Sequence, residues 1–252
     1  SSSTARAEIV TSNGAFLMRT ALEYAKTFGI PVADHCEEIT LAHGGAMHEG
    51  IVATRLGLKG IPAAAEEIHV ARDCILSELT GGHIHLCHMS TRGSVELIRR
   101  AKAKGLKVTA EVTPHHFTLN HESCEGYNTN AKMNPPLREP EDVEALREAL
   151  KDGTVDVIAT DHAPHHYDAK EREFDDAPNG ILGLETAFGL AVTELVKPGL
   201  IPLPDLLFRM STRAAQIYNL PGGTLAIGAP ADVAILDPDT VWTVDPARFY
   251  SK

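Results

Sequence analysis

Residues 156–166 read "DVIATDHAPHH". An apolar run, Val157 to Ala159, gives way within a few positions to Asp161, His162, His165 and His166. A strand that ends in carboxylate and imidazole groups suits a parallel α/β fold, where active sites gather at the carboxyl ends of the strands. The rest of the chain keeps the same rhythm. Helical "NGAFLMRTALEYAKTFG", with Asn13 or Ser12 as its cap and Gly29 as its stop, feeds the strand "IPVADH". "AAAEEIHVARDCILSELTGG" leads to "HIHLCHMS", and "SVELIRRAKAKG" leads to "KVTAEVTP". "EDVEALREALKDG" then leads to "VDVIATDH". Four strand–helix units in tandem predict an α/β fold with a parallel sheet and helical crossovers. Two further helices are expected at "GLETAFGLAVTELVK" and "PDLLFRMSTRAAQIYNL". The closing "GGTLAIGAPADVAILDPDTVWTVDP" changes to short β-branched runs punctuated by Gly and Pro, the pattern of a small β element.

Size and charge exclude several function classes. The chain has 252 residues, 43% hydrophobic and 23% charged, which suits a globular protein with a sizeable core. No apolar run is long enough to span a bilayer, and the opening "SSSTARAEIV" has neither the basic nor the apolar region of a signal peptide. The net charge is −11 with no Lys/Arg block, so neither nucleic acid nor membrane is expected as a partner. The four cysteines show no CxxC spacing and fit a reduced, cytoplasmic protein.

The chemistry-bearing residues cluster at strand ends. The four predicted strands finish at His35, at His88, at His115 and His116, and at Asp161. Imidazole and carboxylate are the ligands that catalytic zinc sites use. One such strand end is commonly just a hydrogen-bonded histidine; four in succession favour a metal centre. Period two on the second strand sets Ile84, Leu86 and His88 on one face and His83, His85 and Cys87 on the other. The His83-x-His85 pair is expected to face the helices and to be structural. His43, His48, His69 and His121 are expected in loops or on helices, with no chemical role of their own.

"DHCEE", "HLCHMST", "AEVTPHHF", "KMNPPLR", "ATDHAPH" and "APNGILGLET" occur in the order found in dihydroorotases of the bacterial class I type, within the amidohydrolase superfamily, which the chain resembles from about residue 14 to its end. The resemblance implies a (β/α)8 TIM barrel of the amidohydrolase type, here mainly its carboxyl-terminal half, over residues 1–220. Part of a small β-sandwich would follow over residues 221–252. The family's His-x-His-x-Arg motif, which supplies two further ligands and a substrate arginine, does not occur in the sequence. The expected activity is the reversible cyclisation of N-carbamoyl-L-aspartate to L-dihydroorotate in de novo pyrimidine biosynthesis, with a binuclear Zn2+ centre.

Roles follow position by position from the resemblance. His35 and His88 match ligands of the second metal. Asp161 matches the aspartate that ligates the first metal and carries the proton. Asn134 and His165 match substrate contacts, and the backbone around Pro178 and Gly180 matches the loop that holds the pyrimidine ring. His115 and His116 are expected to support the site without ligating. Arg138 is expected at the surface or anchoring a loop, with a bidentate grip on a carboxylate as the less favoured role. The chemistry is coherent: opening a cyclic amide needs a hydroxide near neutral pH and a polarised carbonyl, and zinc provides both. Another cyclic-amide hydrolase (a hydantoinase or allantoinase) shares this architecture. A non-catalytic scaffold that binds aspartate transcarbamoylase is the reading from a different class. Partial-barrel edges suggest a homodimer or that same association.

Overall fold

The computed structural model describes residues 14–251. The Asn13 or Ser12 cap therefore lies outside the described residues. The first helix, Gly14–Phe28, buries Met18, Leu22 and Ala25 at helical spacing and stops at Gly29, whose φ of +65° suits a residue without Cβ.

Four strands form the main sheet: β1 (Val32–Asp34), β4 (Ile84–Leu86), β5 (Val108–Val112) and β6 (Val157–Ile158), all parallel in the order β1-β4-β5-β6. Between β1 and β4 a two-stranded parallel sheet, β2 (Met47–His48) with β3 (Gly60–Ile61), adds an element the sequence pattern did not announce. Strands of two residues carry too little periodicity to read.

The helices Ala64–Thr80, Arg92–Ala103 and Pro140–Asp152 supply the crossovers. Their apolar stripes meet one face of the sheet. Val32, Ile84, Leu86, Val108, Ala110, Val112 and Ile158 pack there against Met18, Leu22, Val70, Ile98, Leu146 and Leu150. Ile84 and Leu86 are wholly buried, each worth about 1.5–3 kcal/mol of transfer free energy.

The sheet register corrects one expectation. Ala33, His85 and Thr109 are partners across β1, β4 and β5, while Val32, Ile84 and Val108 form the next layer. Since the Val32 layer meets the helices, His85 lies on the opposite face, with Thr109 and Glu111. His83 joins it by hydrogen bonding to the same Thr109 hydroxyl, 2.8 Å away. The polar face is the one His35 shares, since Asp34 and Cys36 turn instead toward Asp73 and Arg72 of the helix Ala64–Thr80.

A second core of Met47, Val52, Cys124, Leu137 and Phe174 lies beneath the loops after β5 and β6. The predicted late helices are present, as Ala187–Ala191 continuing through a π turn at Val192–Val196 and as Leu203–Tyr218 with a π turn at Phe208–Thr212. Residues 220–245 are turns and extended chain without a strand ladder. Ile227, Ile235 and Val241 there are exposed, and extended runs become strands only with partners alongside. No described helix is long and apolar enough to cross a membrane.

Candidate metal centre and substrate loops

β1 and β4 are hydrogen-bonded neighbours, so the residues just past their carboxyl ends meet. His35 Nδ1 and His88 Nε2 stand 3.0 Å apart, with the rings edge to face. His88 leaves its strand in the left-handed region, at φ +39°, which non-glycine residues rarely adopt. Burial, with His35 beside it, pushes the His88 imidazole down to about 3. The ring is therefore neutral at physiological pH, the state in which imidazole ligates metals.

Two carboxylates brace this strand exit. Glu66, from the helix Ala64–Thr80, accepts from the backbone N–H and hydroxyl of both Ser90 and Thr91. Glu111, on β5, accepts from His85 Nε2 at 3.1 Å, and its main-chain oxygen accepts from Met89 N at 2.9 Å.

Asn134 joins the pair through Glu37. Its Nδ2 donates to Glu37 Oε1 at 3.1 Å, and Glu37 Oε2 lies 3.8 Å from His35 Nε2. The His35 imidazole beside it, reinforced by the bond from Asn134, holds the Glu37 carboxyl below its usual range. His116 hydrogen-bonds Pro135 O at 2.9 Å and Thr113 Oγ1 at 2.7 Å, so it fixes the segment that carries Asn134. His115 packs on His116 and is driven well below its usual pKa by burial, then by His116 and His88. Arg138 is not at the surface. It is buried and donates to Ser90 Oγ, to Ile61 O and toward His48 Nδ1, which ties β3, the β4 exit and the "KMNPPLR" loop together. His48 accordingly sits buried on β2, not in a loop.

His165, Pro178 and Gly180 form a second group. His165 Nε2 donates to Asn179 O at 2.8 Å. A Cβ on Gly180 would fall 2.4 Å from Ala163 O and 2.8 Å from His165 Cδ2, so only glycine fits. Lys132 locks this loop by donating to Phe174 O (2.6 Å), Asp175 O (2.9 Å) and Ala177 O (2.8 Å). Gly180 N returns a bond to Lys132 O at 2.9 Å, and Lys170 Nζ reaches Pro178 O at 2.9 Å. The two groups are thus joined through residues 132–134.

Asp161 lies between the sheet and this loop. Ala159 N bonds Val112 O, His162 bridges to Ile181, and Asp161 itself turns at φ +44°. β6 is two strands from β4 in the sheet, so Asp161 and His88 follow strands separated by β5. Left-handed backbone at both His88 and Asp161 is a signal that sequence alone does not carry, nor did the pattern single out Glu37, Glu66 or Glu111. Thr109 and Glu111 alternate in "KVTAEV", and that period-two placement is the one hint.

The donor set fits a metal ion. Two ligand nitrogens on one tetrahedral zinc sit about 3.3 Å apart, given Zn–N distances near 2.05 Å, and His35 and His88 are close to that separation. His88 Nδ1 and His115 Nε2 are buried without a hydrogen-bond partner among the described residues. Among the described residues, the groups of three ligand-type side chains are His85, Cys87 and Glu111, and Asp34, Cys36 and Asp73. In the latter, Arg72 already supplies the counter-charge to both carboxylates.

The fold is that of amidohydrolase barrel enzymes. A D-hydantoinase (dihydropyrimidinase) from Thermus sp. superposes with a TM-score of 0.77 at 27% identity, over 89% of this chain and 53% of its own. An L-hydantoinase from Arthrobacter aurescens gives 0.77 at 26%, over 88% and 51%. The particular family is closer in sequence. Residues 5–94 match the Dihydro-orotase-like family. Dihydroorotases of Pelotomaculum thermopropionicum and Geobacter metallireducens are 57% and 53% identical over 94% of this chain and 55% of each relative. Over most of its length the chain is similar to these dihydroorotases, and it spans about half the length of the curated relatives it matches.

Proposed function

We propose that the chain is part of a zinc-dependent dihydroorotase that interconverts N-carbamoyl-L-aspartate and L-dihydroorotate in cytoplasmic pyrimidine biosynthesis. The carrying observation is the pairing of His35 and His88 at 3.0 Å at the carboxyl ends of adjacent parallel strands. Sequence identity supports this substrate over hydantoin: it stands at 53–57% with proteins named dihydroorotase and 26–27% with the hydantoinases above.

In this reading His35 and His88 hold one zinc of a binuclear centre, and Asp161 contributes to the other. Bound zinc supplies Lewis acidity and an acidified water near neutral pH. Asp161 takes a proton from the attacking water through its carboxylate and returns it to the departing ring nitrogen. In the cyclisation direction the same carboxylate takes the proton from the ureido nitrogen as it bonds to the carboxyl carbon, and returns it to the departing oxygen, which leaves as water. Asn134, its Nδ2 held by Glu37, keeps Oδ1 to accept from the substrate. His165 serves the substrate's carboxylate side. The Pro178–Gly180 backbone, fixed by Lys132 and Lys170, holds the ring and keeps water from its far face.

An assay with dihydroorotate, hydantoin and allantoin tests the reading. Turnover confined largely to dihydroorotate supports it, whereas preference for hydantoin reverses the substrate assignment. Self-association, or association with aspartate transcarbamoylase, is the accompanying proposal. β1 and β6 are the edges of the main sheet, and exposed edges favour pairing. Analytical ultracentrifugation with and without that enzyme checks it.

A further inference from the structure

The helix Ala64–Thr80 sets one buried carboxylate against the turn that follows β4. Glu66 Oε1 accepts from Thr91 N and Thr91 Oγ1, each at 3.1 Å, and from Ser90 N at 3.2 Å, while Oε2 accepts from the Ser90 hydroxyl. Glu66 is 2% exposed and Ser90 and Thr91 are buried with it, so these donors stand where water would otherwise have to. Thr91 Oγ1 also accepts from Ser94 N at 3.1 Å and caps the helix Arg92–Ala103. Glu66 therefore holds the turn that runs from His88 into that helix.

The Ser90 hydroxyl carries the contact onward. It gives its one proton to Glu66 Oε2, and its oxygen accepts from Arg138 Nε at 3.0 Å. The single proton fixes the order, guanidinium to hydroxyl to carboxylate. Arg138 is 3% exposed and closes the loop that carries Asn134, and its main-chain oxygen accepts from His121 N at 2.8 Å. Opposite charges thus end a buried line, and removing one leaves the other uncompensated. A small cavity lined by His35, Glu37, Glu66, Asn134 and Arg138 adjoins the line, so both of its ends border the candidate site.

We infer that Glu66 is a positioning residue: through the Ser90 hydroxyl and Arg138 it locks the turn after His88 to the loop that carries Asn134. The reading of those two segments as metal and substrate ends rests on the proposed function; the link between them does not. Exchange of the His121 amide reports the far end of the line, since that amide bonds Arg138 O.

The test uses the intact, zinc-free protein with Glu66→Gln, and Ser90→Ala as a second variant should the first fail to fold. Glutamine has one acceptor oxygen where the carboxylate has two, and no charge to set against Arg138. Amide hydrogen exchange at Ser90, Thr91 and His121 is expected to rise at least about tenfold in Glu66→Gln, the scale of losing a charge-assisted bond, while Ile84 in β4 stays near wild type. Ser90→Ala cuts only the bridge: exchange rises at His121, while Thr91, still bonded to Glu66, stays near wild type. With zinc restored, KM for dihydroorotate rises about fivefold in Ser90→Ala, within the range of coupling carried by such networks, and kcat changes less. A rise confined to Ser90 and Thr91 in Glu66→Gln overturns the link and leaves Glu66 a local brace, as does unchanged exchange at His121 in Ser90→Ala. An equal rise at Ile84 also overturns it, since general destabilisation then accounts for the change. The selective pattern with KM unchanged overturns the positioning of the substrate end. If the wild type binds no zinc or does not turn over dihydroorotate while the exchange pattern holds, the link stands and the proposed function fails.

Discussion

His35 Nδ1 and His88 Nε2 face each other at 3.0 Å across the seam between β1 and β4. The two residues are 53 positions apart, and the contact exists because a parallel pairing places their strand ends side by side. Both rings stand above the polar face of the sheet, while the opposite face is closed by helices. One sheet therefore separates a dry core, which stabilises the fold, from a polar face where ionisable groups work.

The loop over the site depends on one buried amine. Lys132 is 6% exposed and donates to three carbonyls of residues 174–177. Lys132→Met keeps the length and leaves those carbonyls without a donor. The expected loss is about 3 kcal/mol, at the level of two or three broken charge-assisted bonds after relaxation. For a chain of this size that lowers Tm by about 6–12 °C. Differential scanning calorimetry checks it, and a shift under 2 °C contradicts the locking role.

Gly180→Ala tests the fit between the proposed substrate loop and His165. The added carbon would lie 2.4 Å from a backbone oxygen, closer than any relaxed contact. The loop must move, at a cost of about 1–3 kcal/mol. KM for dihydroorotate is expected to rise at least fivefold with a smaller change in kcat, which steady-state kinetics resolves.

The strand rhythm, the parallel sheet and the histidines at strand ends were legible in the sequence, because each rests on local periodicity and each strand is a nearly continuous apolar run. The facing of His85 was not. Counting alternate residues from His88 fails because His88 turns at φ +39° and drops out of the strand's period. For Arg138 the loop-anchoring reading holds and the surface reading does not: a charge next to prolines looks exposed until distant carbonyls, here Ile61 O, are brought to it. Glu37, Glu66 and Glu111 were silent, since a carboxylate's role is set by partners that only the fold supplies.

Acid should weaken the fold through His48. Burial, then Arg138, pushes this imidazole down to about 4, so it is neutral in the folded protein until well below its unfolded pKa near 6.5. The unfolded chain takes up the proton first. The stability from this group is therefore complete above pH 6.5 and is lost as pH falls from 6.5 toward 4. Between pH 7.5 and 5 the loss is about 2 kcal/mol. Asp34, whose carboxyl burial and Asp73 push up to about 8, titrates in the opposite sense and is present in any variant. Urea midpoints for wild type and His48→Gln separate the two: the wild type should lose more stability on acidification by about that amount, and parallel curves would contradict it.

The measurement closest to the central claim is zinc content set beside dihydroorotate turnover for wild type, His35→Ala, His88→Ala and Asp161→Asn, all shown to be folded by circular dichroism. The account predicts zinc and turnover in the wild type. Both histidine variants should lose metal and at least about 100-fold in activity, more than a supporting residue costs. Asp161→Asn should lose activity at least as severely while keeping zinc at the histidines. Full zinc content in His35→Ala and His88→Ala, with activity unchanged, would contradict it.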